Sequence, residues 1–357
     1  MDFTFSTEQT EMAQAARRLL EDLCAPAELR RVFDAVDERS ETRWQRLAEL
    51  GLFAVLAPET AGGLGLSPCD FVLLAQESGR AALPEPLAEQ AGVVVPALSE
   101  LPAGATLLGP AAQGHSGVAV VHGHHPYALL PPRLTHWLLY RAEGVYLVEA
   151  RQVRAHAVAS MDAGRRLARA DITPTPAHCI ATGDAAWRAG VRALNRGALY
   201  AAAQCLGLTE RLLELAVAYA KERSQFGRAI GSYQALKHQL ADVAVKLEFA
   251  RPVVYAAAAR LAHTDARTMA AVSHAKLAAG DAAELAARTA LQVHGAMGYS
   301  WEVDLHFFMK RAWALAGAWG DRSFHARRVQ SLLTEGAFAL GADTTFEYAA
   351  EPEGNPP

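Results

Sequence analysis

The stretch YAKERSQFGRAIGSYQALKHQLAD, from Tyr219 to Asp242, decides most of what this sequence indicates about its fold. Apolar residues recur at helical spacing up to Tyr219, which is typical of the last turns of a helix. Gly227 offers the backbone freedom that a helix end needs, and Ser232 has the side chain of an N-cap. The stretch therefore predicts the end of one helix, a glycine turn and the start of a second helix.

Arg223 and Phe226 are three residues apart in this stretch, which predicts that they share one helix face beside the turn. A guanidinium and an aromatic ring in that arrangement suit a ligand that carries both a phosphate and a flat ring. The alternative is structural: an arginine at a helix end satisfies carbonyl groups, and a phenylalanine packs in the core. These two residues alone leave both interpretations open.

Composition excludes several classes of protein. With 357 residues, 51% hydrophobic and 20% charged, the chain can bury a large core in two or three domains. Its longest apolar stretches are interrupted by charged residues before they reach the roughly 20 residues of a membrane span. The net charge of −4 and the scattered basic residues argue against a nucleic-acid partner. The N-terminal residues do not resemble a targeting signal, which predicts a cytoplasmic protein.

Cysteine and histidine patterns predict no metal site. The four cysteines lie far apart and match no paired ligand spacing, so we expect reduced and mostly buried thiols. The one local histidine cluster, HGHHP from His122 to Pro126, contains turn residues and no nearby cysteine or acidic ligand. A turn explains it at least as well as a metal does.

Three compositional zones predict a mainly α protein with a small β-domain. Helical patterns fill residues 1–100, short β-type runs such as VAVV, HWLLY, VYLVEA and VRAHAVA fill 101–182, and long alanine-rich helices fill 183–342. We expect an N-terminal helical domain, a short central β-domain and a C-terminal four-helix bundle in which two helices exceed 25 residues. Residues 343–357 are rich in Pro, Gly and Glu and predict a loose tail.

Three motifs in this order resemble the acyl-CoA dehydrogenase family. They are ELGLFAVLAPETAGGLGLSPCDFVLLAQESGRAALPEP from Glu49 to Pro86, the stretch from Tyr219 to Asp242, and LQVHGAMGY from Leu291 to Tyr299. The resemblance covers most of the chain and implies the family's layout of helical domain, β-domain and helical bundle. It also implies an FAD-associated oxidoreductase that acts on acyl-CoA thioesters, with an electron-transfer partner.

The resemblance further implies which residues contact the ADP half of a flavin held mainly by a neighbouring subunit. Carried over position by position, they are Arg223, Phe226, Gln234, Gln292, Gly295 and Gly298. An arginine fork suits a pyrophosphate, and glycines let backbone N–H groups approach phosphates. Ala296 departs from the pattern, because the family has a second consecutive glycine there.

The family's reaction is α,β-dehydrogenation, in which a glutamate removes the α-proton and the β-hydrogen leaves as hydride to the flavin. The two positions that supply this base in the family correspond to Trp319 and Gly197, and neither is a carboxylate. Asp321 lies two residues beyond Trp319 and is a candidate for a displaced base. A shift of two residues on a helix points about 200° away, so the alternative is a solvated aspartate at a helix start.

The central zone also departs from the family, because it resembles only the second half of the usual flavin-binding β-domain. Shortened members of this kind are similar to subunits of bacterial heteromeric acyl-CoA dehydrogenases, including those that act on steroid side chains. The resemblance thus implies a longer partner subunit and a dimer or a dimer of dimers, with the alanine-rich bundle faces as the interface. Two alternatives remain: a self-sufficient dehydrogenase with an unrecognised base, and a flavin-free structural or acyl-CoA-binding relative.

The acyl substrate itself cannot be deduced from the sequence. We expect its pocket between the helices that carry Gln76 to Ala82 and Gly197 to Gln204, where small differences in volume decide chain length or ring acceptance.

Overall fold

The N-terminal part of the chain is helical in the computed structural model, which describes residues 4–34 and 40–341. The tail predicted at 343–357 lies outside the described residues. Side chains define where the helices begin: Ser6 accepts from the Gln9 N–H, and Ser67 with Asp70 caps the helix that starts at Pro68. The helices are α1 (Thr7–Leu23), α2 (Pro26–Asp34), α3 (Glu41–Glu49) and α4 (Pro68–Arg80).

The helical region continues further than the sequence pattern indicates. Helix α5 (Leu87–Glu89) runs through a π-helical turn (Gln90–Val94) into α6 (Val95–Glu100), and α7 (Ala105–Ala112) follows inside the stretch where we predicted strands. The side chain of Gln90 joins these helices to the β-domain, since it donates to the Ser116 carbonyl at 3.0 Å and accepts from the Val118 N–H at 3.1 Å. Its buried amide is satisfied by backbone groups of both parts.

The central region contains two small sheets. One sheet has the strand order β1-β3-β4-β7, with β1 parallel to β3, and the other has the order β2-β6-β5. The four runs named from the sequence correspond to β1, β3, β4 and β5, whereas β2, β6 and β7 were not predicted. The strands are β1 (Gly117–Val121), β2 (Ala128–Leu129), β3 (Leu134–Tyr140), β4 (Val145–Glu149), β5 (Arg154–Val158), β6 (Leu167–Asp171) and β7 (Cys179–Ala181).

Alternation along β1 and β3 places these strands between two cores. Val118, Val120, Leu138 and Tyr140 belong to the large core that they share with the helices. Their neighbours Ala119, Val121, Trp137 and Leu139 form a second, smaller core with Ala128, Val148 and Ala168. Because successive side chains of a strand point to opposite faces, one pair of strands joins the β-domain to the helical body.

The C-terminal region is the predicted helical bundle, and three of its helices, not two, exceed 25 residues. They are α8 (Gly183–Glu222), α9 (Gln234–Arg260) and α10 (Ala266–His294), followed by the shorter α11 (Leu305–Ala316) and α12 (Arg322–Thr334). Helix α10 packs on the other four helices of the bundle. Half of its buried residues are alanine, which lets the axes approach closely.

Helices α4 and α8 touch through their backbones where we expected the acyl pocket. A Cβ atom at Gly79 would lie 2.2 Å from the carbonyl oxygen of Gln204, and one at Gly207 would lie 2.0 Å from that of Gln76. Contacts this short leave no room for a side chain or a ligand between the two backbones. The space expected for a substrate is closed at this level of α8.

A buried arginine connects all three parts of the chain. The guanidinium of Arg311, on α11, donates to the carboxylate of Asp162 in the β-domain and to the carbonyl of Leu83 after α4, the latter at 2.7 Å. Both side chains of this ion pair are almost fully buried. Lys276 of α10 caps the C-terminal end of α11, since its ammonium donates to the carbonyls of Leu315 and Ala316 at 2.9 and 3.0 Å. The helix α11 is thus held at its middle and at its C-terminal end.

Within the described residues, no single helix is both long and apolar enough to cross a bilayer. The segments Leu87–Glu100 and Pro102–Ala112 meet such a test only when taken together, and a bend of 117° separates them. Most of their residues are buried in the protein core.

Replacing Arg311 by Met should destabilise the fold by about 3–5 kcal/mol, because the Asp162 carboxylate would stay buried without its cation. Urea unfolding followed by circular dichroism measures the change. Arg288→Met is the matched control, since Arg288 pairs with Glu284 on the surface of α10 and should matter little. Adding Asp162→Asn to the first variant should restore part of the loss. Equal midpoints for the two arginine variants would contradict the role given to Arg311.

Candidate functional site

The stretch from Tyr219 to Asp242 contains a β-hairpin at the place where we predicted a helix face. Helix α8 ends at Glu222, and the strands β8 (Ser224–Gln225) and β9 (Arg228–Ala229) pair across the turn Phe226-Gly227. Both turn residues have positive φ, 55° and 80°, as in a two-residue hairpin turn. Arg223 and Phe226 therefore do not share a helix face, and that prediction was wrong. A glycine at the second turn position was the signal for a hairpin.

Tyr233 braces this hairpin from the start of the next helix. Its hydroxyl donates to the Gln225 carbonyl at 3.2 Å, and the Arg228 guanidinium lies 4.1 Å from the centre of its ring. The prediction that Ser232 caps α9 is wrong, because its hydroxyl donates to the Ala229 carbonyl. Tyr233 holds the N-cap position and supplies no side-chain acceptor. The first N–H groups of α9 thus begin without a side-chain cap.

An aromatic stack joins the two bundle motifs. The rings of Tyr219, near the end of α8, and His294, at the end of α10, lie 4.3 Å apart with an angle of 22° between their planes. Burial lowers the pKa of His294, and its Nδ1 lies 2.7 Å from the Ala290 carbonyl. A neutral ring that donates to this carbonyl is fixed in orientation. Sequence spacing contained no signal for this contact, which brings the ends of α8 and α10 together.

Most of the residues assigned to flavin contacts lie on the surface around this junction. Arg223, Gln234, Gln292 and Gly295 are exposed, and Phe226 is 92% exposed despite its left-handed backbone. Among the residues that the structure describes, no carboxylate pairs with Arg223.

The second motif ends helix α10 in a turn. Gly295 has φ 57° and ψ −134°, a conformation that is essentially reserved for glycine. Gly298 is buried against the last turn of α10, where a Cβ atom would lie 3.0 Å from the Leu291 carbonyl oxygen. Ala296, which replaces the family's second glycine, is exposed.

Trp319 and Gly197, the two positions that the resemblance predicts for the family's base, lie against each other. A Cβ atom built on Gly197 of α8 would lie 2.0 Å from Cδ2 of Trp319, so the indole rests directly on the helix backbone. Trp319 is only 1% exposed, although it lies in the loop between α11 and α12. Its φ of 58° is unusual for a bulky residue. An aromatic ring thus fills the space between the two positions.

Histidines surround this indole. The ring of His125 stacks on it with a centroid distance of 4.3 Å and an angle of 3°, and burial holds the pKa of His125 well below its ordinary value. His325 lies with Nε2 3.0 Å from the Trp319 carbonyl and Nδ1 3.0 Å from the Ser273 hydroxyl. Because a carbonyl only accepts, Nε2 carries the hydrogen and Nδ1 accepts from Ser273. The cluster His122 to His125 is therefore a packing element, held as a turn by the bridge between its two ends.

Asp321, the displaced candidate for the base, caps helix α12. Its carboxylate accepts from the Phe324 N–H at 2.7 Å, and the residue is exposed. This geometry agrees with the structural alternative of a solvated aspartate at a helix start. The sequence had allowed both interpretations.

Three of the buried carboxylates already have arginine partners. Arg17 binds Glu77 through two hydrogen bonds of 2.8 Å, Arg43 binds Glu85, and Arg311 binds Asp162. The fourth, Glu89 on α5, lies close enough to Arg165 to interact with its charge. Among residues 4–34 and 40–341, no group of three or more His, Cys, Asp or Glu residues could hold a metal ion.

Two family models match most of the chain. Residues 6–101 match the model described as "Acyl-CoA dehydrogenase, N-terminal domain", and residues 186–331 match "Acyl-CoA dehydrogenase, C-terminal domain". The shortened β-domain lies between the two matches.

Curated relatives carry the same family name. Acyl-CoA dehydrogenase IpdE2 of Mycobacterium tuberculosis is 34% identical over 316 residues, which are 85% of this chain and 91% of the relative. Acyl-CoA dehydrogenase FadE34 of the same organism is 30% identical over 95% of this chain, but the match covers only 49% of FadE34.

Solved structures share the whole architecture. The ChsE4-ChsE5 complex from Mycobacterium tuberculosis contains a chain that matches with a TM-score of 0.81 at 23% identity, over 94% of this chain and 99% of that one. This likeness concerns the fold. A variant of the Tcur3481-Tcur3483 steroid ACAD matches with a TM-score of 0.81 at 26% identity, over 92% of this chain and 98% of that chain.

Acidification should destabilise the protein before its carboxylates titrate. Burial, followed by the charge of Lys276, lowers the pKa of His325 to about 3, and burial lowers that of His122 to about 4. Unfolded histidines titrate near about 6.5, so the unfolded state takes up more protons as the pH falls below that value. We expect the melting temperature to fall between about pH 7.5 and pH 5. The slope should be smaller in His325→Gln than in the wild type or in the exposed control His115→Gln; an unchanged slope would contradict this assignment.

Proposed function

Because this chain belongs to the acyl-CoA dehydrogenase family, we propose that it works as one subunit of a heteromeric, FAD-dependent enzyme that dehydrogenates an acyl-CoA thioester. In this proposal a longer family member holds most of the flavin and supplies the base. The present chain contributes the surface around Arg223 and Gln292. It contributes no carboxylate at the positions of Trp319 and Gly197.

The observation that carries the proposal is the exposed cationic surface where α8, α9 and α10 meet. Arg223 is exposed directly after the end of α8, Gln292 is exposed in the last turn of α10, whose His294 stacks on Tyr219 of α8, and α9 begins without a side-chain cap. A pyrophosphate would find an arginine fork and free backbone N–H groups there. Phe226 offers a ring to the adenine or to its surroundings. The residues present therefore fit the ADP half of a flavin.

The interior of the chain does not fit the other half of the flavin, at which the reaction takes place. FAD, when bound in such an enzyme, accepts the hydride from the β-carbon. Proton removal from the α-carbon needs a carboxylate near that carbon, and here the indole of Trp319 lies on Gly197 in the corresponding space. This chain would therefore orient the cofactor from outside, while the partner subunit moves the proton.

Two further observations support a partner of the same family. An apolar stripe runs along α9, where Val245 is 54% exposed, Phe249 is 75% exposed and Ala241, Pro252 and Ala256 continue the same face. Exposed apolar stripes of this kind mark protein contacts. In addition, this chain corresponds to about half of FadE34, a relative in which such a unit is joined to as much chain again. A dimer or a dimer of dimers with a longer subunit would cover the stripe.

We propose a steroid-derived acyl group as the substrate class. The support is the similarity at 26% identity to a chain of the Tcur3481-Tcur3483 steroid ACAD. The substrate would lie in the partner's pocket, because α4 and α8 of this chain touch through their backbones.

A self-sufficient dehydrogenase is the second candidate, and one feature favours it. Glu89 is a buried carboxylate without an ion pair in the described residues other than its interaction with Arg165. A flavin-free relative is the third candidate. Purified alone, the chain should be colourless and inactive under our proposal, whereas the second candidate predicts a yellow, active protein.

Co-expression with a longer member of the family should restore flavin and activity to the complex. Arg223→Ala in that complex should lower flavin occupancy several-fold, measured by absorbance after gel filtration, because the pyrophosphate loses its charged donor. Arg46→Ala, an exposed arginine of the N-terminal domain, is the control and should retain the flavin. Full flavin content in the Arg223 variant would contradict the proposed contact between Arg223 and the flavin. Activity of the chain alone would contradict the proposal that it works as a subunit of a heteromeric enzyme.

Phe249→Arg should weaken assembly, because it places a charge in the centre of the proposed apolar contact. The measurement is co-purification of the longer subunit with a tagged copy of this chain. Met161→Arg is the matched control, since Met161 is also an exposed apolar residue but belongs to the β-domain. Equal recovery of the partner with both variants would place the interface elsewhere.

A further inference from the structure

Trp319 is a buried aromatic residue in a backbone conformation that such residues avoid. Its φ is 58°, the following Gly320 has φ 100°, and the loop is held by the Gly320 N–H to the His124 carbonyl at 3.0 Å. A bulky side chain persists in this region only when its surroundings hold it there. The surroundings are specific: the backbone of Gly197, the ring of His125 and the hydrogen bond from His325.

We infer that the indole of Trp319 fills the space beside Gly197 in which this chain would otherwise form its own part of an active site. Removing the indole would leave a cavity of the right shape for a flat aromatic ring. The inference deepens the proposed function, since it states why the chain cannot complete a site of its own. A base or a substrate cannot enter the space beside Gly197 while the indole lies there. The cavity exists only when the indole is removed.

The shape of the surroundings supports this cavity. The indole lies parallel to His125, so removing it leaves a slot with one flat aromatic wall and one wall formed by helix α8. A separate cavity of about 210 Å³ adjoins the loop, and His125 and Ala318 line it. Removing the indole would therefore enlarge an existing space. Buried cavities of ring size can take up aromatic molecules such as benzene.

Replacing Gly197 by alanine tests this inference, because the expected change in stability is opposite to that of most Gly→Ala substitutions inside helices. Inside a helix, Gly→Ala is normally stabilising, since alanine has the higher helix propensity. At Gly197 the added methyl group would overlap the indole, which is itself packed on His125 and cannot retreat easily. Gly280, in the middle of α10, is the matched control, because a Cβ atom there meets nothing within 4 Å.

The experiment measures melting temperatures of the full chain without flavin. Gly280→Ala should melt at or above the wild-type temperature and Gly197→Ala several degrees below it. In a Trp319→Gly background, Gly197→Ala should cost nothing further. Millimolar indole should raise the melting temperature of Trp319→Gly saturably, but not that of the wild type or of Trp187→Gly, whose indole is exposed.

Two outcomes would overturn the inference: Gly197→Ala behaving like Gly280→Ala, or no indole-dependent rise in Trp319→Gly. If Trp319→Gly does not fold, the comparison of the two glycine variants still decides the matter. None of these measurements involves the partner or the flavin. Failure here therefore leaves the co-expression test of the proposed function untouched, and the reverse also holds.

Discussion

The buried guanidinium of Arg311 is the interaction on which the arrangement of this protein depends. It binds the Asp162 carboxylate of the β-domain and the Leu83 carbonyl after α4, while its own helix, α11, belongs to the bundle. Three structural parts thus meet at one charged group. Burying such a charge is unfavourable unless all its partners are in place, so the contact specifies the geometry even where it adds little net stability.

That geometry also determines where the loop after α11 lies. Lys276 binds the last carbonyls of α11, and the chain then turns directly into Trp319. With the middle and the C-terminal end of the helix held by buried cations, the loop places the indole between Gly197 and His125. The contacts that place Trp319 in the interior and the contacts that join the domains therefore belong to one connected set. The exposed surface at Arg223 lies outside it, at the far ends of α8 and α10.

The contrast between these two regions matches a division of labour between subunits. The outer region keeps a cation, a ring and helix-end amides accessible, which a pyrophosphate and an adenine require. In the inner region, the aromatic ring of Trp319 fills the space beside Gly197. A protein that keeps the outer region accessible and has a filled inner region is suited to complete the cofactor site of another chain.

Much of the architecture followed from local patterns. Helices within residues 1–100 were expected from their helical pattern, and four strands from their β-type runs. The predicted fold class, a mainly α protein with a small β-domain, is confirmed by the structure and by the family matches. Helix α7 was missed because its eight residues have a weak period and include Pro110 inside the helix. The hairpin at Phe226 was mistaken for a helix face because a spacing of three residues fits both structures.

The family resemblance, the candidate contact residues and the absence of a carboxylate at positions 319 and 197 follow from residue type and order, so they could be predicted before the fold was known. The folded structure was needed to establish that Tyr219 stacks on His294, that Phe226 projects into solvent, and that Trp319 lies on Gly197. Each of these contacts joins residues that lie far apart in the chain or depends on backbone angles that no residue type dictates. Packing among distant elements sets them, and that information appears only when the chain is folded.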